Sequence, residues 1–92
     1  MKRVHGTYFS LALALHSEGP KSAVVVSKKV AARAVDRNKL KRRARAALRL
    51  IGLAGRVACV FTAKRGASGV AYKELFDDLA KLVERGGVRS AK

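Results

Sequence analysis

Asp36-Arg37-Asn38-Lys39-Leu40-Lys41-Arg42-Arg43-Ala44-Arg45-Ala46-Ala47-Leu48-Arg49-Leu50-Ile51 contains neither Gly nor Pro and is dominated by strong helix formers. Asp36 suits the N-cap, where a carboxylate accepts from free backbone N–H groups and meets the positive end of the helix dipole. Gly52 suits the stop. On a helical wheel started at Arg37, Leu40, Ala44, Ala47, Leu48 and Ile51 fall in an arc from about 280° to 20°. Asn38, Lys41, Arg42, Arg45 and Arg49 fall between about 40° and 140°. One apolar stripe can therefore dock on a neighbouring layer while the adjacent face presents four cations and an amide. Lys39 and Arg43 lie further round, and Arg37 sits at the edge of the stripe.

The layer this helix docks on is legible on either side of it. Thr7–His16 alternates, with Phe9, Leu11, Leu13 and Leu15 on one face and Tyr8, Ser10, Ala12 and Ala14 on the other, as in a half-buried strand. Ser17-Glu18-Gly19-Pro20-Lys21 has turn composition, and the Val-rich stretch Ser22–Ser27 reads as a second strand, paired with the first as a hairpin. Beyond Gly52–Gly55, Arg56–Ala63 reads as a third strand and Lys64–Gly69 as a loop. Tyr72, Leu75, Phe76, Leu79, Leu82 and Val83 then recur at helical spacing until Gly86-Gly87. The order β-β-α-β-α gives an α/β chain of the α+β sandwich type, with helices packed on a small mixed sheet. Residues 1–92 form one domain, in which 1–6 and 88–92 read as flexible ends.

Charge narrows the function. Twenty-one Lys and Arg against six Asp and Glu give a net charge of +15, which points to a polyanionic partner. Ten of the 21 basic residues lie between Lys28 and Arg49, with Asp36 the only acid among them. Arg37, Lys41, Arg45 and Arg49 repeat like charge at i,i+4 spacing, at a cost of a few tenths of a kcal/mol per pair. A phosphate backbone offsets that cost by direct contact and counterion release. Arginine adds a planar fork that can take phosphate or a guanine edge bidentately. A membrane partner is not expected, because no apolar run is long enough to span one and the helix stripe is narrow and half alanine. Cys59 is the sole cysteine, which excludes an internal disulfide and suits a reducing cytoplasmic setting.

The acids offer no chemistry of their own. Glu74, Asp77, Asp78 and Glu84 sit on the last helix, Asp36 is assigned as a cap, and Glu18 lies in a turn. Asp77 and Asp78 are adjacent and so point about 100° apart, a poor pair for a metal. His5 and His16 have no partner in sequence. No catalytic residue and no protein-held metal is expected.

Ser27-Lys28-Lys29-Val30, followed by Arg37-Asn38-Lys39-Leu40-Lys41-Arg42-Arg43-Ala44-Arg45, resembles the signature of the bacterial ribonuclease P protein family: a strand ending in a Lys-Lys run, then a helix opening Arg-Asn-Arg and continuing Lys-Arg. Lys28, Lys29, Arg37, Asn38, Lys41, Arg42 and Arg45 match; Lys39 stands where the family usually has a second Arg. Gly6–Leu11, Val60–Gly66 and Tyr72–Val83 resemble the family's first long strand, its later strand with basic loop, and its closing helix. The resemblance implies a ribosomal protein S5 domain 2-like fold with a left-handed βαβ crossover around the basic helix. It also implies an N-terminal helix before the first long strand, and with only about six residues given ahead of that strand such a helix is not expected in this sequence.

Functionally, the resemblance implies the non-catalytic protein subunit of a ribonucleoprotein endoribonuclease. The RNA subunit carries out phosphodiester hydrolysis with Mg²⁺ during 5′ maturation of tRNA. The expected partners are the ribonuclease P RNA and precursor tRNA, with no DNA and no membrane. The expected contacts to the catalytic RNA are Arg37, Asn38, Lys39, Lys41, Arg42, Arg45 and Arg49. Those to the single-stranded 5′ leader are Tyr8, Phe9, Lys28, Lys29, Lys64 and Arg65, where an aromatic ring can stack on a base while cations follow the backbone. The rival reading is a small ribosomal or ribosome-associated RNA-binding protein without a role in cleavage, which shares the charge and fold class but does not require this motif spacing.

Overall fold

The computed structural model describes residues 2–15 and 18–88. Strands Lys2–His5 (β1), Phe9–Leu15 (β2) and Lys21–Val25 (β3) are followed by helix Ala34–Ile51 (α1), strand Val57–Ala63 (β4) and helix Tyr72–Gly86 (α2). The four strands form one mixed sheet in the order β1-β2-β4-β3, and the two helices pack together on one face of it. The α+β sandwich stands, with one more strand than the sequence suggests.

Alternation builds the core. Phe9, Leu11 and Leu13 of β2 are buried, as are Val57, Cys59, Phe61 and Ala63 of β4, Val4 of β1 and Val24 of β3. Against them lie Leu40, Ala44, Ala47 and Leu48 of α1, the stripe expected from the wheel, and Leu75, Leu79, Leu82 and Val83 of α2. Burial raises the pKa of the Cys59 thiol, which keeps it neutral and makes it a small core residue.

Four expectations are corrected. Lys2–His5 is not a flexible lead-in, because it pairs antiparallel with β2 from Lys2↔Leu13 to His5↔Ser10. β3 is not the hairpin partner of β2. It pairs in parallel with β4, from Lys21↔Ala58 to Val25↔Thr62, while β2 pairs antiparallel with β4 from Phe9↔Ala63 to Leu15↔Val57. β4, whose alternate residues are all buried, takes the place between them, and α1 is the crossover joining the parallel neighbours. Asp36 does not cap α1. The helix starts at Ala34 with Arg33 in the N-cap position and no side-chain cap. Asp36 lies in the first turn, still favourable to the helix dipole and 3.9 Å from Arg33 Nε. Finally, Val88 is not frayed: it is buried, and its carbonyl accepts from Ala54 N–H at 2.8 Å. Residues 89–92 lie outside the described residues.

The helix stops fall where expected. Gly52 donates its N–H to Leu48 O at 2.9 Å, and Gly87, left-handed at φ 73°, ends α2.

One buried polar group links the two layers. Asp78 of α2 is 7% exposed, and its carboxylate accepts from Thr7 N–H at 2.8 Å, Tyr8 N–H at 2.9 Å and Phe9 N–H at 3.0 Å. The turn between β1 and β2 is thus held by a side chain some seventy residues away in sequence. Gly6 is required beside it. A Cβ there would stand 2.8 and 2.9 Å from the two Asp78 carboxylate oxygens and 2.9 Å from Phe9 O. Gly6→Ala is therefore expected to destabilise the domain by about 1–3 kcal/mol, the usual range for overpacking a closed site. Chemical denaturation followed by circular dichroism would show it; an unchanged midpoint would mean that the turn can move away from α2 at no cost.

Candidate nucleic-acid interface

Parallel pairing of β3 and β4 brings their C-terminal ends to one end of the sheet, where the β1–β2 turn also lies, since Phe9 is opposite Ala63. Tyr8, Lys28-Lys29 and Lys64-Arg65, far apart in sequence, are gathered there. α1 starts from the same end, so Arg37 and Asn38 join the cluster while Arg45 and Arg49 sit at the other. There Arg45 and Arg49 line a groove with Pro20, Ser22, Leu48, Gly52 and Leu53. Asn38 to Arg49 spans about 16 Å along the helix axis at 1.5 Å per residue. Asn38, Lys39, Arg42, Arg45 and Arg49 are exposed or partly so and Lys41 is half-buried, so the cationic face is open along its length.

Among the described residues, four cations are anchored on backbone carbonyls. Arg37 Nη1 donates to Ala31 O at 3.0 Å and Ala32 O at 2.8 Å. Arg43 Nη2 donates to Val70 O at 2.9 Å, tying α1 to the segment before α2. Lys64 Nζ donates to Gly6 O at 2.7 Å, and Arg85 Nη1 to His5 O at 3.1 Å. Such bonds fix a side chain but leave part of its donor capacity, since a guanidinium carries five N–H donors and an ammonium three. None of these anchors was visible in the sequence, because each acceptor is a main-chain carbonyl brought near only by folding.

The aromatic expectations divide. Phe9 is fully buried in the core, so it is withdrawn as a leader contact; it shares its strand face with Leu11 and Leu13, and that face is the one the helices cover. Tyr8 is half-buried and packs against the edge of the core. Its main chain is fixed on both sides, by Asp78 at its N–H and by Lys64 N–H at its carbonyl, 2.8 Å away. Lys28, Lys29 and Arg65 are exposed, and Lys64 is half-buried through its bond to Gly6.

The sheet face away from the helices carries a readable pattern. Register places His5, Ser10, Thr62 and Val25 in one row across the four strands and Arg3, Ala12, Val60 and Ala23 in the next. Val25 and Val60 are exposed at 45% and 37%. The face is a shallow floor of small and β-branched residues, edged by Arg3 on β1 and Lys21 on β3. Sequence reading placed Tyr8, Ser10, Ala12 and Ala14 on one strand face but missed the row that joins Ser10 to His5, Thr62 and Val25, which needs the three registers together. A groove lined by Lys2, Leu13, Ala14, Arg56, Val57 and Val88 among others lies at the opposite end of the sheet and is not part of this cluster.

No group of three His, Cys, Asp or Glu side chains among the described residues could hold a metal ion. Asp78, the one buried acid among them, is committed to backbone N–H groups.

Comparison with known proteins agrees with this fold. A protein of Pseudanabaena sp. (strain PCC 6903), described as "Ribonuclease P protein component", is 39% identical over 90 residues, covering 94% of this chain and 78% of that protein. The fold matches the RNase P protein of Staphylococcus aureus with a TM-score of 0.83 at 19% identity, over 97% of this chain and 84% of that one. It matches the RNase P protein of Thermotoga maritima with a TM-score of 0.80 at 24% identity, over 91% and 82%. Residues 1–87 match the ribonuclease P family as a whole, and with its sheet, its basic crossover helix and this relative in agreement, the chain belongs to the ribonuclease P protein family.

Proposed function

We propose that two surfaces divide the work of this chain. As a member of its family it is the protein component of a ribonucleoprotein endoribonuclease, partner to the ribonuclease P RNA in 5′ processing of tRNA. The α1 face of Asn38, Lys39, Lys41, Arg42, Arg45 and Arg49, with Arg37 at its start, contacts phosphates of that RNA. The end of the sheet carrying Tyr8, Lys28, Lys29, Lys64 and Arg65, continued over the open row of His5, Ser10 and Thr62, meets the single-stranded leader of precursor tRNA. The observation that carries this reading is the convergence: residues from the β1–β2 turn, the segment after β3 and the end of β4 reach one end of the sheet beside the start of the basic helix.

Because the described side chains do not suit a metal site, we place the Mg²⁺ with the RNA and substrate. The protein's share is electrostatic. Cations along α1 offset phosphate repulsion in the folded RNA and so lower the Mg²⁺ concentration that folding requires. Among the described residues no helix is long and apolar enough to cross a membrane, and a cytoplasmic setting fits the role and the free thiol of Cys59.

The test is reconstitution. Adding the protein to a bacterial ribonuclease P RNA and precursor tRNA at low Mg²⁺ is expected to raise cleavage well above that of the RNA alone, with little gain at high Mg²⁺. Equal rates with and without protein at low Mg²⁺ would overturn the assignment.

A further inference from the structure

The first residue of the Arg37-Asn38-Lys39 motif does not project like the other cations of α1. Arg37 is half-buried at the edge of the docking stripe, and its Nη1 spans two consecutive carbonyls, those of Ala31 and Ala32, at 3.0 and 2.8 Å. These carbonyls belong to the segment that leaves β3 and enters α1. That segment opens with a tight turn in which Ser27 O accepts from Val30 N–H and Ala31 N–H, both at 3.1 Å. The turn carries Lys28 and Lys29, both exposed. Ala31, directly after it, is buried, and Arg33 O accepts from Asp36 and Arg37 N–H groups to start the helix.

We infer that Arg37 is a positioning residue, which fixes the Lys28–Lys29 turn against the first turn of α1. The turn is anchored by Val30, which packs against the core, and by buried Ala31, but the α1 N-cap has no side-chain cap, and the guanidinium adds the side-chain bond that ties the two together. The N–H directions of a planar guanidinium are fixed, so two of them can be held toward adjacent carbonyls with less loss of side-chain freedom than the rotating donors of an ammonium. Both Nη1 hydrogens are spent on the protein, which leaves Nη2 and Nε for any other contact. The lysines are thereby held next to the Asn38, Lys41 and Arg42 face, joining the turn and the helix into one cationic surface.

This inference rests on the reading that Lys28 and Lys29 meet the precursor, and the experiment separates the two. Backbone hydrogen exchange of the free protein tests positioning alone. Arg37→Ala is expected to speed exchange of the Val30 and Ala31 amides at least several-fold and to leave the β4 amides unchanged. Unchanged exchange at Val30 and Ala31 would overturn the inference whatever the RNA does. A double-mutant cycle on the reconstituted holoenzyme then tests the functional consequence. Arg37→Ala and the pair Lys28→Ala/Lys29→Ala are each expected to weaken precursor-tRNA binding, and the triple variant to be no weaker than the weaker of the two. Independent, multiplying losses would mean that Arg37 does not act through the lysine turn and would overturn the inference. If the lysine pair alone has no effect while exchange still responds, the placement of the leader fails and the positioning stands. Arg37→Lys, which keeps the charge, is expected to restore the salt dependence of RNA binding but not the slow exchange.

Discussion

Asp78→Ala is expected to remove about 3–5 kcal/mol of stability. The carboxylate is buried and accepts three backbone N–H groups within 3.0 Å. Bonds to a charged acceptor contribute about 1.5–3 kcal/mol each in favourable cases, and buried donors left without a partner cost about 1–3 kcal/mol apiece. These figures do not add, because the turn will relax and admit water. The lower end alone is still a large share of the roughly 5–15 kcal/mol available to a small domain. Asp78→Asn keeps one acceptor oxygen but turns an amide donor toward groups that also donate, so it should fall between Ala and the native protein. Asp77→Ala, on the exposed neighbour, is the control and should stay within about 0.5 kcal/mol. Denaturant unfolding of the three variants measures this directly. A loss below about 1 kcal/mol for Asp78→Ala would show that the three N–H groups find water as readily as they find the carboxylate.

The second large effect concerns RNA affinity and leaves the fold alone. Arg42 and Arg45 lie on α1, outside the buried stripe of Leu40, Ala44, Ala47 and Leu48. Neither is anchored on a carbonyl in the way that Arg37 and Arg43 are. Replacing both by Ala should weaken binding to the ribonuclease P RNA on the order of 10- to 100-fold at moderate salt, at about 1–1.4 kcal/mol or somewhat less per phosphate. The more diagnostic quantity is the slope of log affinity against log salt, which should flatten by about one unit for each phosphate left without its cation. Circular dichroism should be unchanged, because alanine propagates a helix at least as well as arginine. Lys81→Ala on α2 is the comparison: it removes one exposed charge from outside the proposed face and should leave the slope where it was. A double variant with native slope would move the RNA off this face of α1.

These two sites differ in how far they could be read from the chain. The cationic face of α1 was legible because it depends only on helical period: the wheel placed Leu40, Ala44, Ala47 and Leu48 inside and Arg42, Arg45 and Arg49 outside, and the folded chain does the same. Alternation in β2 and the glycine stops of both helices are local in the same sense. Asp78 was not legible. As a residue beside Asp77 on a helix it looked like surface charge, and its role appears only when α2 is laid against a turn seventy residues earlier. β1 escaped notice because only Val4 among its four residues is buried, so it has no alternation to detect. The pairing of β3 was misjudged for a related reason. A turn-like link between two apolar strands suggests a hairpin, and nothing local to the link reveals that β4 will come between them. Phe9 was separable from Tyr8 by the alternation rule, and the structure bears out its place with the leucines.

The central position of β4 also governs the order in which this protein can come into being. During synthesis the β1–β2 ribbon can close as soon as it emerges, being adjacent in sequence. β3 must wait, because its neighbour in the sheet has not yet been made, and α1 emerges before the layer that will cover its apolar stripe is complete. Until residues 57–63 leave the ribosome, the nascent chain consists of a ribbon, an unpaired strand and the most cationic segment of the molecule, held close to ribosomal RNA. The last sheet strand to be translated therefore turns a loose polycation into a shaped one. Arrest or truncation before that strand should leave a chain that adheres to RNA of any kind, retained by its charge and lacking the surface that selects a partner.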